Sequence, residues 1–299
     1  MIKTVLGDIS EKDIGVTLPH EHICCYSEYV YQMLGSDYLD KEALINNAVD
    51  YLGRMKNDYN LNTFIDCTPV NIGRDIQLLK EVSRKTGVNI ICSTGFYYTE
   101  ESVLNRTSAE DIANYIVIDA QKVNAGIIKC GVENSEISPF NEKILKATAL
   151  AQLKLNLPIV LHSNGRNQNG LKALEILLSN GVSANSVTVG HLSDSDDIEY
   201  IKAVAEKGCF IAFDRLYDIK TEEYISKTVN KIAELCDSGY EEKILFSHDS
   251  LVFNGFDAKP QIKMPRYNYC FDYILPRLDK AVAEKIMTKN VVKMLKCGE

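Results

Sequence analysis

The chain has 299 residues, of which 45% are hydrophobic and 25% charged, the make-up of a folded protein with a sizeable core, which excludes disorder, collagen-like repeats and coiled coil. Lys and Arg number 33 against 41 Asp and Glu, a formal charge of -8, and no basic block is present to neutralise a row of phosphates. A nucleic-acid partner is not expected.

Short apolar runs rich in Val, Ile, Phe and Thr alternate with amphipathic stretches along the whole chain. The runs are VTLPHEHI (16–23), TFIDCT (63–68), NIICSTGF (89–96), GIIKCGV (126–132), PIVLHSN (158–164), SVTVGHL (186–192), CFIAFDR (209–215) and KILFSHD (243–249). Between them the periodicity predicts helices over 42–58, 74–86, 108–122, 141–155, 169–180, 196–207 and 221–239, with a last pair in 277–296. RDIQLLKEVSRKTG closes on Gly87, and ALEILLSNG and YIKAVAEKG also end on the glycine expected just past a helix. Continuous apolar character in the runs fits strands buried on both faces of a parallel sheet. Length alone allows two domains at about 150 residues each, but α/β barrels use about 250 residues as one unit. Without a linker or a composition break, the pattern predicts one domain over 1–299, an α/β fold of the (β/α)8 TIM barrel type. A doubly wound sheet competes, but no GxGxxG follows the first strand.

Nine cysteines (24, 25, 67, 92, 130, 209, 236, 270 and 297) are scattered, odd in number and free of CxxC spacing. They read as reduced, small buried hydrophobes in a cytoplasmic protein. No signal-peptide core and no run of about 18 apolar residues is present, so no membrane association is expected.

Of five histidines, His20, His22, His162 and His191 fall at or near the C-terminal ends of predicted strands, and His248 precedes Asp249 at the end of the eighth. In a barrel that rim is where active sites form. His20 and His22 lie two apart on a strand, so both rings share a face and can chelate one ion, with Asp249 completing the shell. A lone histidine pairs more often with a backbone carbonyl; four on one rim favour a metal centre. Lys129 would end an apolar strand at the same mouth, where an ammonium repels a dication and is costly to desolvate. Reaction with CO₂ would turn it into an anionic carbamate able to bridge two ions. A lysine paired with a carboxylate is the other reading, and spacing alone leaves both open.

The ordered set LPHEH, NIGRD (71–75), TGFYY (94–98), AGIIK (125–129), PIVLHSN, VGHLSDSDDIEYI (189–201), GCFIAFDR (208–215) and LFSHDS (245–250) resembles the phosphotriesterase family of the amidohydrolase superfamily. The resemblance runs from about residue 5 to residue 295. HSN after strand five, GHLSDSDD after strand six and FDR after strand seven are most similar to the phosphotriesterase-like lactonases. The resemblance implies that His20, His22 and Asp249 hold a buried metal and His162 and His191 a more exposed one. Carboxylated Lys129 and a hydroxide would bridge the two divalent ions, zinc first, with cobalt, manganese or iron also accepted by such ligands. It further implies that Asp249 moves protons as general base and acid, that Tyr97 orients the substrate beside the exposed metal, and that Arg215 shapes the pocket, a salt bridge to a rim carboxylate being its other reading.

Asp214 is expected in the polar rim with Arg215, Cys130 in packing, Arg74 in a structural salt bridge, and His248 in a supporting rather than ligating place. The loop over 251–273 carries Phe253, Phe256, Tyr267 and Tyr269 for an apolar group, and Lys259, Lys263 and Arg266 for a phosphate. The chain has no tryptophan and this loop is somewhat short, departures from acyl-homoserine lactonases that bear on long acyl chains. The expected protein is a cytoplasmic, homodimeric hydrolase that opens lactones, with phosphotriesters as side substrates. A phosphorylated sugar lactone, or a phosphotriester or aryl ester as the proper substrate, is the alternative. A barrel that keeps its metal only to bind a partner is disfavoured, because the whole ligand set is present.

Overall fold

In the strand Ile127–Gly131, Ile127 and Lys129 face inward, whereas Ile128 and Cys130 pack outward against helices. That alternation repeats in every neighbour and decides where the chemistry goes, because successive side chains on a strand point to opposite faces. The computed structural model describes residues 1–216 and 221–297.

Among the described residues, eight parallel strands form one sheet: β1 (Val16–Glu21), β2 (Leu61–Asp66), β3 (Asn89–Gly95), β4 (Ile127–Gly131), β5 (Ile159–His162), β6 (Val187–Val189), β7 (Phe210–Phe213) and β8 (Ile244–Phe246). Each pairs with the next in sequence order. The last and first strands meet through His20 N to Ser247 Oγ at 2.9 Å and Asp249 N to His20 O at 3.1 Å. The sheet is thereby a nearly closed barrel, and the α/β reading of the sequence holds. The interior is filled by Ile65, Ile91, Ile127, Val160, Phe210, Ala212 and Leu245, and Ile2, Ile14, Val291 and Met294 join the same cluster. A packed floor of this kind leaves only the C-terminal ends of the strands to form a site.

The helices α1 (Lys41–Tyr59), α2 (Ile76–Thr86), α3 (Ala109–Val123), α4 (Pro139–Leu155), α5 (Gly170–Ser179), α6 (Ile198–Glu206) and α7 (Glu222–Asp237) follow the strands in turn. Their starts are fixed by side-chain caps, among them Asp40, Asp75, Ser108, Ser138, Asp197 and Thr221, which accept orphan backbone N–H groups. Asn60, Asn124 and Asn156, in the left-handed conformation, end α1, α3 and α4 as Gly87 ends α2. The last predicted pair is Lys280–Glu284 and Asn290–Leu295, joined by a π-helical turn over Lys285–Lys289. No helix among the described residues is long and apolar enough to cross a membrane.

The sequence pattern misses a small antiparallel hairpin (Ile2–Thr4 with Gly7–Ile9), a helix over Glu28–Leu34 and a short parallel pair, Cys24–Cys25 with Phe253–Asn254. These are too short to show a period, and the helix buries no residue that would mark an apolar stripe. Several predicted strands overrun the ladder by a few residues, most clearly 186–192. His191 (φ 64°) and Asp249 (φ 50°) leave extended geometry for the left-handed region, ending the pairing where the site begins.

Candidate metal centre

Six side chains of the strand ends converge at the mouth of the barrel. His20 lies near the end of β1 and His22 directly follows it, Lys129 and His162 share the interior parity of β4 and β5, and His191 and Asp249 follow β6 and β8. His20 Nε2 lies 2.7 Å from Lys129 Nζ, His22 Nε2 is 3.1 Å from Asp249 Oδ1, and His162 Nδ1 is 2.7 Å from His191 Nε2. Asp249 also lies 3.7 Å from both His20 Nε2 and His191 Nε2, which joins the pairs into one cluster. Lys129 is 1% exposed, a long cation buried among nitrogen and carboxylate ligands. Gly95 (φ 97°) lets the chain turn over β4: a Cβ there would meet Lys129 O at 2.1 Å, and the turn carries Tyr97 over the cluster.

The outward nitrogens fix which ring atoms are free. Asp214 is fully buried between His20 Nδ1 (2.5 Å) and His191 Nδ1 (3.0 Å), and these rings hold its carboxyl far below the usual range against the effect of burial. An ionised carboxylate only accepts, so both Nδ1 atoms carry protons and both Nε2 atoms present lone pairs inward. Thr68 donates its hydroxyl proton to Cys24 O and accepts from His22 Nδ1 at 2.8 Å, which turns His22 Nε2 toward Asp249. A ring nitrogen facing a carboxylate in a buried site calls for a cation or a proton between them.

The ionisation pattern separates His22 from the other rings. Burial and then the Lys129 charge hold His20 down to about 3, while at His22 burial is outweighed by Cys25 and Asp249, which raise it to about 10. Burial, followed by His191 and Lys129, holds His162 well below its ordinary value. Asp249 stays well below the usual carboxylate range, since His191, His22, His20 and Arg215 outweigh its burial. Neutral His20 and His162, an ionised Asp249 and a His22 ring whose proton a metal ion can replace are a donor set that divalent borderline metals take, so these residues fit such ions.

Beside the cluster lies a cavity of about 410 Å³ lined by Cys25, Ile72, Tyr97, Tyr98, Thr99, Leu251, Asn254 and Phe256 together with the ligand residues other than His191. Tyr97 Oη stands 3.4 Å from His162 Nδ1, and burial pushes its phenol well above the usual value. It therefore remains a proton donor at neutral pH.

A sequence profile described as the phosphotriesterase family matches residues 1–296. The chain belongs to the phosphotriesterase family. It is 35% identical over 265 residues to an aryldialkylphosphatase of Saccharolobus solfataricus, covering 85% of this chain and 83% of that protein. A phosphotriesterase homology protein of Mycobacterium tuberculosis is 27% identical over 90% of this chain and 87% of its own length, and an N-acetyltaurine hydrolase of Bos taurus is 26% identical over 83% of each. This member of the phosphotriesterase family is thus a hydrolase of ester- or amide-type bonds, and its His/Asp cluster fits metal binding.

In this phosphotriesterase-family chain several supporting residues sit elsewhere than the sequence suggests. Asp214 lies under the centre and not in the rim, because it shares the interior parity of Ala212 two residues earlier. Arg215 takes the second of its two expected roles, a salt bridge to rim carboxylates, with Nε 3.0 Å from Asp249 Oδ2 and Nη1 2.9 Å from Asp194 Oδ2, and it lines a neighbouring polar cavity instead of the apolar one. Of the aromatic residues over 251–273, Phe256 lines the apolar cavity, whereas Phe253, Tyr267 and Tyr269 are each 2% exposed and packed into the core. Lys263 is committed to Asp257, and Lys259, Lys263 and Arg266 do not line the cavity.

His248 is a supporting residue as expected: it donates to Glu21 from Nδ1 at 2.8 Å and accepts at Nε2 from Cys270 N. Arg74 forms its salt bridge with Asp119 through two bonds of 2.6 and 2.7 Å, and Cys130 packs outward. Thr68, Glu21 and Glu133 were not singled out by the sequence; the only available signal was Glu21, an acid between two rim histidines.

Proposed function

We propose that the protein is a two-metal lactonase that accepts phosphotriesters as side substrates. His20, His22 and Asp249 would hold the buried ion, His162 and His191 the exposed one, with carboxylated Lys129 shared between them. Two divalent ions so held, zinc first and cobalt, manganese or iron as alternatives, supply hydroxide at neutral pH and polarise the substrate oxygen. What supports the ligand assignment is that Nε2 of His20, His22 and His191 points inward, with Nδ1 of each ring committed to Asp214 or Thr68.

The chain's own residues do the rest. Asp249 has Oδ2 tied by Arg215 and Oδ1 turned toward His22, so it can take the proton of the attacking water and return it to the leaving alkoxide. Tyr97 keeps its proton and donates to a substrate oxygen above His162. Ile72, Tyr98, Leu251 and Phe256 exclude water and receive the apolar part of the substrate. The observation that supports the lactone reading most is this cavity, apolar over Ile72, Leu251 and Phe256 and lined by no charged side chain besides the ligand residues, a fit for an uncharged ring ester. A phosphorylated sugar lactone is less well served, since the loop cations lie outside the cavity lining. In this reading the enzyme is cytoplasmic and homodimeric.

The test is a substrate panel for the metal-loaded protein: γ- and δ-lactones, acyl-homoserine lactones, phosphorylated sugar lactones and simple N-acyl amides. Preference for uncharged lactones, unchanged in Lys263→Ala and Arg266→Ala, is the expected result. A preference for phosphorylated lactones that either substitution removes would replace this reading with the phosphorylated one, and turnover of amides alone would end it.

A further inference from the structure

We propose that Glu133 is a positioning residue that sets the affinity of the exposed metal position by orienting His162, an inference that rests on the two-metal reading above. Glu133 lies four residues beyond Lys129, in the loop after β4, and its Oε2 is 2.9 Å from His162 Nε2. Oε1 accepts from Asn164 Nδ2 at 2.9 Å. The carboxylate is therefore fixed at both oxygens. Asn164 is itself held: its backbone N donates to Asn169 Oδ1, and its Oδ1 accepts from the backbone N–H groups of Arg166 and Asn167. Asn167 and Asn169 in turn donate to the carbonyls of Glu133 and Asn134, which locks the two loops together.

A carboxylate that only accepts puts the His162 proton on Nε2 and leaves Nδ1 as a lone pair, 2.7 Å from the lone pair on His191 Nε2. Two lone pairs at that distance repel unless a cation lies between them. With the proton moved to Nδ1, His162 would instead hydrogen-bond to His191 and close the position. Glu133 holds the ring in the first state, and a carboxylate behind a ligating imidazole also raises its basicity.

Glu133 differs from the groups behind the other histidines. Asp214 and Thr68 are buried at 0% and 1%, whereas the Glu133 side chain is 36% exposed and lines a polar cavity of about 800 Å³. Replacing it opens no core, so its effect can be separated from folding.

The experiment titrates metal-free protein with Zn²⁺ against a chromophoric chelator, for the natural sequence, Glu133→Gln and Glu133→Ala. Two affinity classes are expected in the natural sequence, with the weaker class reduced about 10- to 100-fold in Glu133→Ala. Glu133→Gln, with one acceptor oxygen for two donors, should fall between them. The tighter class and the melting temperature of the metal-free protein should not move. A weaker class unmoved in both variants would overturn the role of Glu133 alone. So would loss of both classes together with a fall in the metal-free melting temperature, which marks a structural role. A single ion per natural chain would overturn the two-metal reading itself and this inference with it.

Discussion

Arg215 Nε donates to Asp249 Oδ2 across 3.0 Å, and the same guanidinium holds Asp194 with Nη1. A guanidinium does not lose its proton in a protein, so Arg215 anchors Asp249 and cannot relay its proton. The carboxylate is left with one fixed oxygen and one turned toward His22, and in the proposed mechanism the proton transfer falls to it. Asp249→Asn should therefore lower kcat/KM about 10²- to 10⁴-fold on every substrate, with Arg215→Lys retaining more activity than Asp249→Asn. Steady-state kinetics on metal-loaded variants check this; an Asp249→Asn variant within tenfold of the natural enzyme refutes it.

Tyr97 should matter through its hydroxyl and not through its ring, since the ring packs edge-on against His162 with centroids 5.0 Å apart. Tyr97→Phe keeps that packing and removes one hydrogen bond. Loss of about 1–1.5 kcal/mol, roughly tenfold in lactone kcat/KM, is expected. Tyr97→Ala should cost more, and equal activity of Tyr97→Phe and the natural enzyme would show that the phenol does not touch the substrate.

Lys129 is buried with its amine 2.7 Å from His20 Nε2, a place where an anion serves two cations better than an ammonium does. Metal-free protein reconstituted in CO₂-depleted buffer should regain activity slowly, and added bicarbonate should speed recovery. Lys129→Ala should respond to neither, and natural protein indifferent to bicarbonate would contradict the carbamate.

The metal-free protein should be acid-sensitive. His20, held to about 3, and His162, held well below its usual value, bind protons in the unfolded chain at about 6.5 but not in the folded one. Their contribution is complete above that value and is lost as pH falls below it toward 3. His22, raised to about 10, acts in the opposite sense: its contribution is complete below about 6.5 and is lost as pH rises through 10. Below pH 6.5 the His22 contribution is constant, so the two lowered rings predict a melting temperature that falls between pH 6.5 and pH 4.5, read by calorimetry. A flat profile over that window would contradict the burial of neutral rings.

Arg74, 5% exposed, grips Asp119 through two bonds and also donates to Ser93 O. Arg74→Met strands part of this network, and the loss is expected at about 3 kcal/mol in stability, with kcat changed little. Denaturant titration measures the first and kinetics the second.

Much of this was legible in the sequence for a physical reason: a strand buried on both faces reads as an apolar run, and a helix that must stop before the next strand shows its glycine. The inward residues of those runs, Lys129 after Ile127 and His162 after Val160, follow from parity alone. The supports of the ligands do not. Asp214 meets His20 across 194 positions and Thr68 meets His22 across 46, distances over which no local period operates. The loop aromatics failed for a related reason: in irregular chain nothing periodic says that Tyr267 turns inward to donate to His22 O while Phe256 turns to the cavity.

The most direct test is the ratio of kcat/KM for a δ-lactone to that for paraoxon, measured on protein loaded with two Zn²⁺ per chain. A lactone value of about 10⁴ M⁻¹s⁻¹ or more, with paraoxon far poorer and both activities lost in Asp249→Asn, is the predicted result. Paraoxon turned over better than any lactone, or lactone turnover that survives removal of the metal, would contradict the account.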